Sequence, residues 1–209
     1  MTALPPTLAG SRCVLRALRP GDAPALQRYA DDEAVWRNLF EGFPRPYTLA
    51  DAQAWCDGGW RERGDAVWGI AVGDEAIGCL GVRADTGWLR CNAEVGYWIG
   101  QPHWRRGITS EALALASDWV FAQRPEITRL YAPIFAWNEG SQAVACACGY
   151  QLEGQMPQSA IKDGRVIDRV QYARYRAGMP DSIRHPGLGV PTDGSRVESG
   201  TTAKRESLS

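Results

Sequence analysis

The stretch Glu94 to Ala112, EVGYWIGQPHWRRGITSEA, contains the change of period on which the fold turns. Its first half continues a strand-like run, NAEVGYWIG (92–100), in which Glu94, Gly96 and Trp98 share one face by the two-residue repeat. Beyond the basic turn, Ala112, Leu115, Ala116 and Trp119 recur at helical spacing until Arg124-Pro125. A strand therefore feeds a helix of about 107–122 through a turn holding Arg105, Arg106 and Gly107. The first amides of such a helix lack intrahelical acceptors, the macrodipole is positive there, and glycine admits close backbone approach. A diphosphate suits that end. An arginine pair before a helix also reads as a solvated turn, and the stretch alone leaves both readings open.

Upstream, RCVLRAL (12–18) alternates apolar and polar residues, and Arg19-Pro20-Gly21-Asp22 breaks it and caps a helix over about 22–30. Thr48 with Asp51 three positions later predicts a capping-box start to a helix of about 49–63. AVWGIAV (66–72), AIGCLGVR (76–83) and NAEVGYWIG then read as an antiparallel meander. Downstream, ITRLYAPI (127–134) predicts a strand, Asn138 opens a short helix to about Cys148, and two strands follow near 150–157 and 166–175. Antiparallel pairs at both ends and one parallel crossover give an α+β fold: a mixed, mostly antiparallel sheet of about seven strands with helices on both faces. From Gly178 the chain is rich in Gly, Pro, Ser and Thr, so residues 1–177 are expected to form the domain and 178–209 a flexible tail.

A chain of 209 residues, 44% hydrophobic and with nine tryptophans, sustains one sizeable core. Lysine and arginine total 23 against 24 acidic residues, and a net charge of -1 gives no general attraction to nucleic acid or membranes. The six cysteines form no CxxC pair, and with His103 and His185 as the only histidines no metal is expected. They read as mostly buried thiols of a reducing compartment. The start MTALPPTLAG has no basic segment followed by an apolar core, and no apolar run approaches the roughly 20 residues that span a bilayer. A cytoplasmic location is expected.

The segment W-x-x-G-x-T-S-E-A, Trp104 to Ala112, resembles the pyrophosphate loop of the GNAT superfamily of acetyltransferases, usually written R/Q-x-x-G-x-G/A, in the Rim-type (RimJ/RimL-like) variant that closes with T/S-E-A. Gly107, Ser110, Glu111 and Ala112 match; Trp104 stands at the first basic position and Thr109 where Gly or Ala is usual. A second segment, NEGSQAVACACGY from Asn138 to Tyr150, resembles the N-x-x-S segment of the same branch that ends in G-F/Y. The resemblance spans about residues 10–176. It implies a sheet splayed between its fourth and fifth strands, acetyl-CoA as co-substrate, and direct attack by a primary amine in a ternary complex. The amine would be a protein N-terminus or a small molecule.

Carried onto this chain, the resemblance places the diphosphate at Trp104, Arg105, Arg106, Gly107, Ile108, Thr109 and Ser110, with Arg105 and Arg106 standing in for the missing basic residue. Main chain near Trp98 and Ile99 would receive the pantetheine and the thioester oxygen. Asn138 would hydrogen-bond the pantetheine, and Ser141 would lie beside the departing thiolate. A homodimer stays open, and the acceptor is unspecified.

Such a reaction needs a neutral amine, a polarised thioester and a stabilised thiolate. Ser141 is the candidate donor to sulfur. Glu94, expected to be partly buried with a raised pKa, is the candidate base through water, and Glu153 is the weaker alternative. Asn138 and Ser141 also read as helix caps, and Glu94 as a structural carboxylate. Phe40, Phe43 and Tyr47 are expected to wall an acceptor cleft suited to an aromatic or apolar amine, although packing beneath the second helix accounts for them equally. An ungapped reading puts Ala160 where relatives acting on ribosomal proteins can carry glutamate. The competing classes are an acyl-CoA-binding module without catalysis and a nucleic-acid module using Arg105 and Arg106, the latter opposed by the near-zero charge.

Overall fold

Ala66, Trp68 and Ile70 pack toward one face of the sheet and Val67 toward the other, and all four are buried. Strand β3 (Ala66–Val72) is therefore covered on both sides, which is why it reads as a nearly continuous apolar run. The computed structural model describes residues 4–62 and 66–177. Before β3 come β1 (Leu8–Ala9), β2 (Val14–Arg16), α1 (Ala23–Ala30), α2 (Glu33–Trp36) and α3 (Leu49–Cys56). After it come β4 (Glu75–Ala84), β5 (Asn92–Ile99), α4 (Ile108–Gln123), β6 (Arg129–Phe135), α5 (Glu139–Ala147), β7 (Gln151–Lys162) and β8 (Arg165–Tyr175). Among the described residues, eight strands make one sheet in the order β1-β2-β3-β4-β5-β6-β8-β7, antiparallel at every junction except β5–β6.

Helices cover both faces, as expected. Ile108, Leu113 and Val120 of α4 and Ala145 of α5 pack on one side, and Leu26 of α1 with Ala52 and Cys56 of α3 on the other. The strand absent from the sequence reading is β1, whose two residues are too few to show a period. The Thr48–Asp51 capping box is present, with Asp51 N–H to Thr48 Oγ1 at 3.2 Å and Thr48 N–H to Asp51 Oδ2 at 2.8 Å. Its helix stops at Cys56, short of 63, because Gly58 adopts φ +115°. Strands β7 and β8 run further than expected and meet at an Asp163-Gly164 turn. The register shift between Met156 and Ala160, with Pro157 and the positive φ of 51° at Gln158, hides that continuity from a period-two reading. The expectation for 178–209 falls outside the described residues. Cys13, Cys56, Cys79 and Cys148 are buried, while Cys91 and Cys146 are exposed. No helix among the described residues is long and apolar enough to cross a membrane.

One junction of the sheet is incomplete. β4 follows β5 as far as Ile99, and β8 follows β6 as far as Phe135, but β5 and β6 pair only over Asn92–Glu94 and Arg129–Tyr131. From Val95 onward the two strands part, so the sheet opens as a V at the place where the resemblance expects it.

Candidate active site

The opening produces two clefts that meet. One, of about 620 Å³, lies between the 104–110 loop and α5; the other, of about 610 Å³, lies under the 38–47 loop on the α3 side. Both are lined by Asn38, Leu39, Tyr97, Trp98, Asn138 and Ser141, which therefore surround the passage between them.

The first cleft ends on the start of α4. Gly107 occupies the N-cap with φ +73° and no side-chain cap, Arg105 has φ +59°, and the first helical bond runs from Glu111 N–H to Gly107 O at 3.1 Å. No acceptor for the amides of residues 105–110 occurs among the described residues, so the expected cluster of free donors is present. The Arg105 and Arg106 side chains are exposed beside it. Trp104 has a different task from the basic residue it replaces: its indole N–H donates to Ile99 O at 2.9 Å, bracing the loop against the end of β5. His103 is 3.1 Å from the Tyr29 hydroxyl through Nε2; burial first, then Arg106, lowers its pKa and favours the neutral ring.

Glu111, matched in the sequence but given no task there, secures this loop from behind. Its carboxylate accepts from Ser11 N–H at 2.9 Å, Ser11 Oγ at 2.6 Å, Arg12 N–H at 2.6 Å and Cys13 N–H at 3.0 Å. Burial opposes the charge, yet these donors hold the carboxyl down at about 2. Gly10 allows the approach, since a Cβ there would sit 2.4 Å from Glu111 Oε2. The T/S-E-A pattern is the signal that marks this glutamate, but its partners lie about a hundred positions away in the chain.

At the passage, Asn138 Oδ1 accepts the Ser141 N–H at 3.1 Å, so the capping reading of Asn138 is realised. That bond leaves the Asn138 amide nitrogen and the Ser141 hydroxyl without protein partners among the described residues. The Tyr97 hydroxyl, to which the sequence reading gives no part, donates to Ser141 O at 3.0 Å across the V. Burial pushes its pKa above the ordinary tyrosine value, so it stays a donor. Trp137 Nε1 donates to Asn38 Oδ1 at 3.1 Å, joining the loops on either side of the passage. Trp98 lines both clefts and Ile99 the first, on the stretch of β5 that has no ladder to β6.

In the second cleft, Glu94 is partly buried, as expected, but it is ion-paired. Arg83, its register partner on β4, contacts it at 2.6 Å and supplies a counter-charge. Glu153 is further from the role of base: Arg129, Tyr175 and Gln171 all donate to it, and although burial raises its pKa these bonds hold it at about 2. Phe43 stacks on Tyr47 at 4.8 Å and meets Phe40 at 5.9 Å and Trp98 at 6.4 Å edge-on. Phe40, Phe43 and Tyr47 all line the cleft, while Tyr47 is also buried in the α1–α3 core, so the wall and packing readings coexist. Ala160 lies on the same lining.

Residues 12–151 match the acetyltransferase (GNAT) domain family. The chain belongs to that family. It is thus an N-acetyltransferase with acetyl-CoA as donor, and the Rim-type resemblance has counterparts in known proteins. The enzyme is 28% identical over 174 residues to the N-acetyltransferase YoaA of Bacillus subtilis (strain 168), covering 80% of this chain and 96% of that protein. Over 86 residues it is 35% identical to the ribosomal-protein-serine acetyltransferase of Escherichia coli (strain K12), 41% of this chain and 48% of that one. Among solved structures, Mycobacterium smegmatis RimJ in complex with CoA-disulfide aligns with TM-score 0.73 and 25% identity over 84% of this chain and 90% of its own. A GNAT acetyltransferase from Bacillus anthracis shares the fold, with TM-score 0.71 and 18% identity over 82% and 99%.

Proposed function

We propose that the enzyme holds acetyl-CoA with its diphosphate on the amides of residues 105–110 and its thioester in the passage, where an amine entering from the second cleft attacks directly. The observation that carries this reading is the meeting of the two clefts at Tyr97, Asn138 and Ser141. The amine lone pair forms the new C–N bond, the C–S bond breaks with its electrons on sulfur, and the proton released from nitrogen ends on the CoA thiol. Arg105 and Arg106 add charge to the diphosphate site, and the free Asn138 amide donates to a pantetheine carbonyl. The Ser141 hydroxyl, whose backbone is held by Asn138 and Tyr97, stabilises the developing thiolate. Holding both reactants in line supplies much of the acceleration.

Proton removal from an ammonium acceptor goes through water, and Glu94, tied to Arg83, orients that water rather than standing as an isolated base. Replacement of Ser141 by Ala tests the reading: turnover is expected to fall about 10- to 1000-fold while acetyl-CoA affinity stays within about threefold. Unchanged release of free CoA thiol in that variant would sink the role of Ser141. Acetyl-CoA binding with no thiol release from wild type on any amine would instead favour a binding module without catalysis.

A further inference from the structure

The acceptor side of the sheet combines a bare floor, an aromatic wall and a cation without a counter-charge among the described residues, and the inference drawn from them rests on the acetyl-transfer reading above. Gly81 on β4 and Gly96 on β5 stand opposite one another, and both line the second cleft. Between Trp98 and the Arg83–Glu94 pair the floor therefore carries no side chain. A Cβ at Gly96 would meet nothing within 4 Å, and one at Gly81 would only touch Val67 at 3.4 Å, so the bareness is not forced by crowding. A flat or extended apolar group can lie there at backbone distance, against Phe43, Trp98 and Phe135. The volume of about 610 Å³ is of the size that encloses a small molecule.

The carboxylates around this cleft are engaged. Glu94 pairs with Arg83 at 2.6 Å, Asp51 closes the capping box on Thr48, and Glu41 accepts from the amides of Asp163 at 2.7 Å and Gly164 at 3.3 Å. Arg169 differs. It is a half-buried lining residue fixed through Nε to Ser159 Oγ at 3.1 Å, and among the described residues it has no carboxylate partner. It stands opposite Phe135 across β6–β8. Asn138, at the passage, closes the turn that follows Phe135, its N–H donating to Phe135 O at 2.8 Å, so the cation and the passage lie at the same end of β6.

We propose that the acceptor is a small primary amine with a flat apolar body and an anionic group at the end remote from the amine. Its nitrogen reaches the passage at Ser141, its body lies on Gly81 and Gly96, and its anion takes two donors from the Arg169 guanidinium. The transfer is the one already written; Arg169 sets which amine is held in place for it.

The test compares 2-phenylethylamine with 4-(2-aminoethyl)benzoate, which differ only in a carboxylate opposite the amine, by release of CoA thiol from acetyl-CoA. Wild type is expected to show kcat/KM about 10-fold or more higher for the carboxylate compound, with the ratio falling to near one in Arg169→Gln and partly retained in Arg169→Lys. Gly96→Val, which has space to fold, is expected to raise KM for both amines. A measurement independent of turnover uses 4-ethylbenzoate, which has no amine: it should raise the Tm of the CoA-loaded wild type and leave Arg169→Gln unmoved. Equal kcat/KM for the two amines, a preference that survives in Arg169→Gln, acetylation of a peptide N-terminus but of neither amine, or no Tm shift with 4-ethylbenzoate would each overturn the proposal. An Arg169-dependent Tm shift without acetylation of any amine would uphold the anion site and overturn the transfer reading instead.

Discussion

The phenol of Tyr97, on β5, donates to the main-chain carbonyl of Ser141, in α5, at 3.0 Å, and so ties the opened strand to that helix where the clefts meet. Tyr97→Phe keeps the ring and removes this bond, leaving the carbonyl without its donor. Stability is expected to fall by about 1 kcal/mol. Because α5 carries Ser141, kcat is expected to fall about 10-fold while the acetyl-CoA Kd stays within about threefold. Chemical unfolding and steady-state kinetics on the same preparation check both parts, and an unchanged kcat would show that α5 is positioned without Tyr97.

Acid should loosen the back of the loop proposed to hold the diphosphate. Glu111 has an ordinary value of 4.5 and is held at about 2 in the folded chain. A folded pKa below the unfolded one contributes stability that is complete above about 4.5 and is lost as pH falls through about 2. Glu111→Gln is therefore expected to be about 2 kcal/mol less stable at pH 7 and to lose less than wild type between pH 4.5 and pH 2. Glu153, held at about 2 by Arg129, Tyr175 and Gln171, adds a slope in the same window that the variant retains. Urea unfolding at pH 7, 4 and 3 decides the matter: parallel pH curves for the two proteins would remove Glu111 from the account.

Gly107 supplies the left-handed turn that starts α4, with φ +73°, and a Cβ there would lie 3.3 Å from Arg12 Nε. Gly107→Ala is expected to cost about 1–2 kcal/mol in stability, as left-handed backbone does for a residue with a Cβ. Since the strain falls on the loop proposed to hold the diphosphate, acetyl-CoA Kd is expected to rise about 10-fold with kcat at saturation little changed. Titration calorimetry with acetyl-CoA reads this out, and unaltered affinity would place the diphosphate elsewhere.

Gly78 on β4 stands opposite Ile99 at the end of β5. A Cβ would stand 2.1 Å from Trp98 O and 2.6 Å from Ile99 Cα, both backbone atoms that no rotamer change can move aside. Gly78→Ala should push the end of β5 away from β4 and destabilise the fold by about 3 kcal/mol or more. A melting temperature within a degree of wild type would contradict this close approach.

Element types were legible because their signals are local. The period of AVWGIAV, the Thr48–Asp51 box and the strand-to-helix change after Ile99 each lie within a few positions, and each element formed where expected. Boundaries failed where the chain departs from a regular period, at Gly58 after α3 and at Pro157-Gln158 inside β7. Of the site, the free amides of residues 105–110 and the cap from Asn138 to Ser141 could be read from spacing, since both are consequences of how a helix begins.

By itself, the sequence determined the order of the longer elements, the family-like loop at 104–112 and the side chains available to it, because short-range periodicity and capping depend on neighbours. Tertiary structure alone decided that Glu94 faces Arg83, that Tyr97 holds Ser141, that Glu111 binds residues 11–13, and that Gly81 and Gly96 share one bare floor with Arg169. The facing of Glu94 with Arg83 and of Gly81 with Gly96 depends on the register of β4 on β5, where a shift of one residue would turn every side chain to the opposite face. The bonds of Tyr97 and Glu111 depend on how α5 and α4 pack against segments distant in the chain.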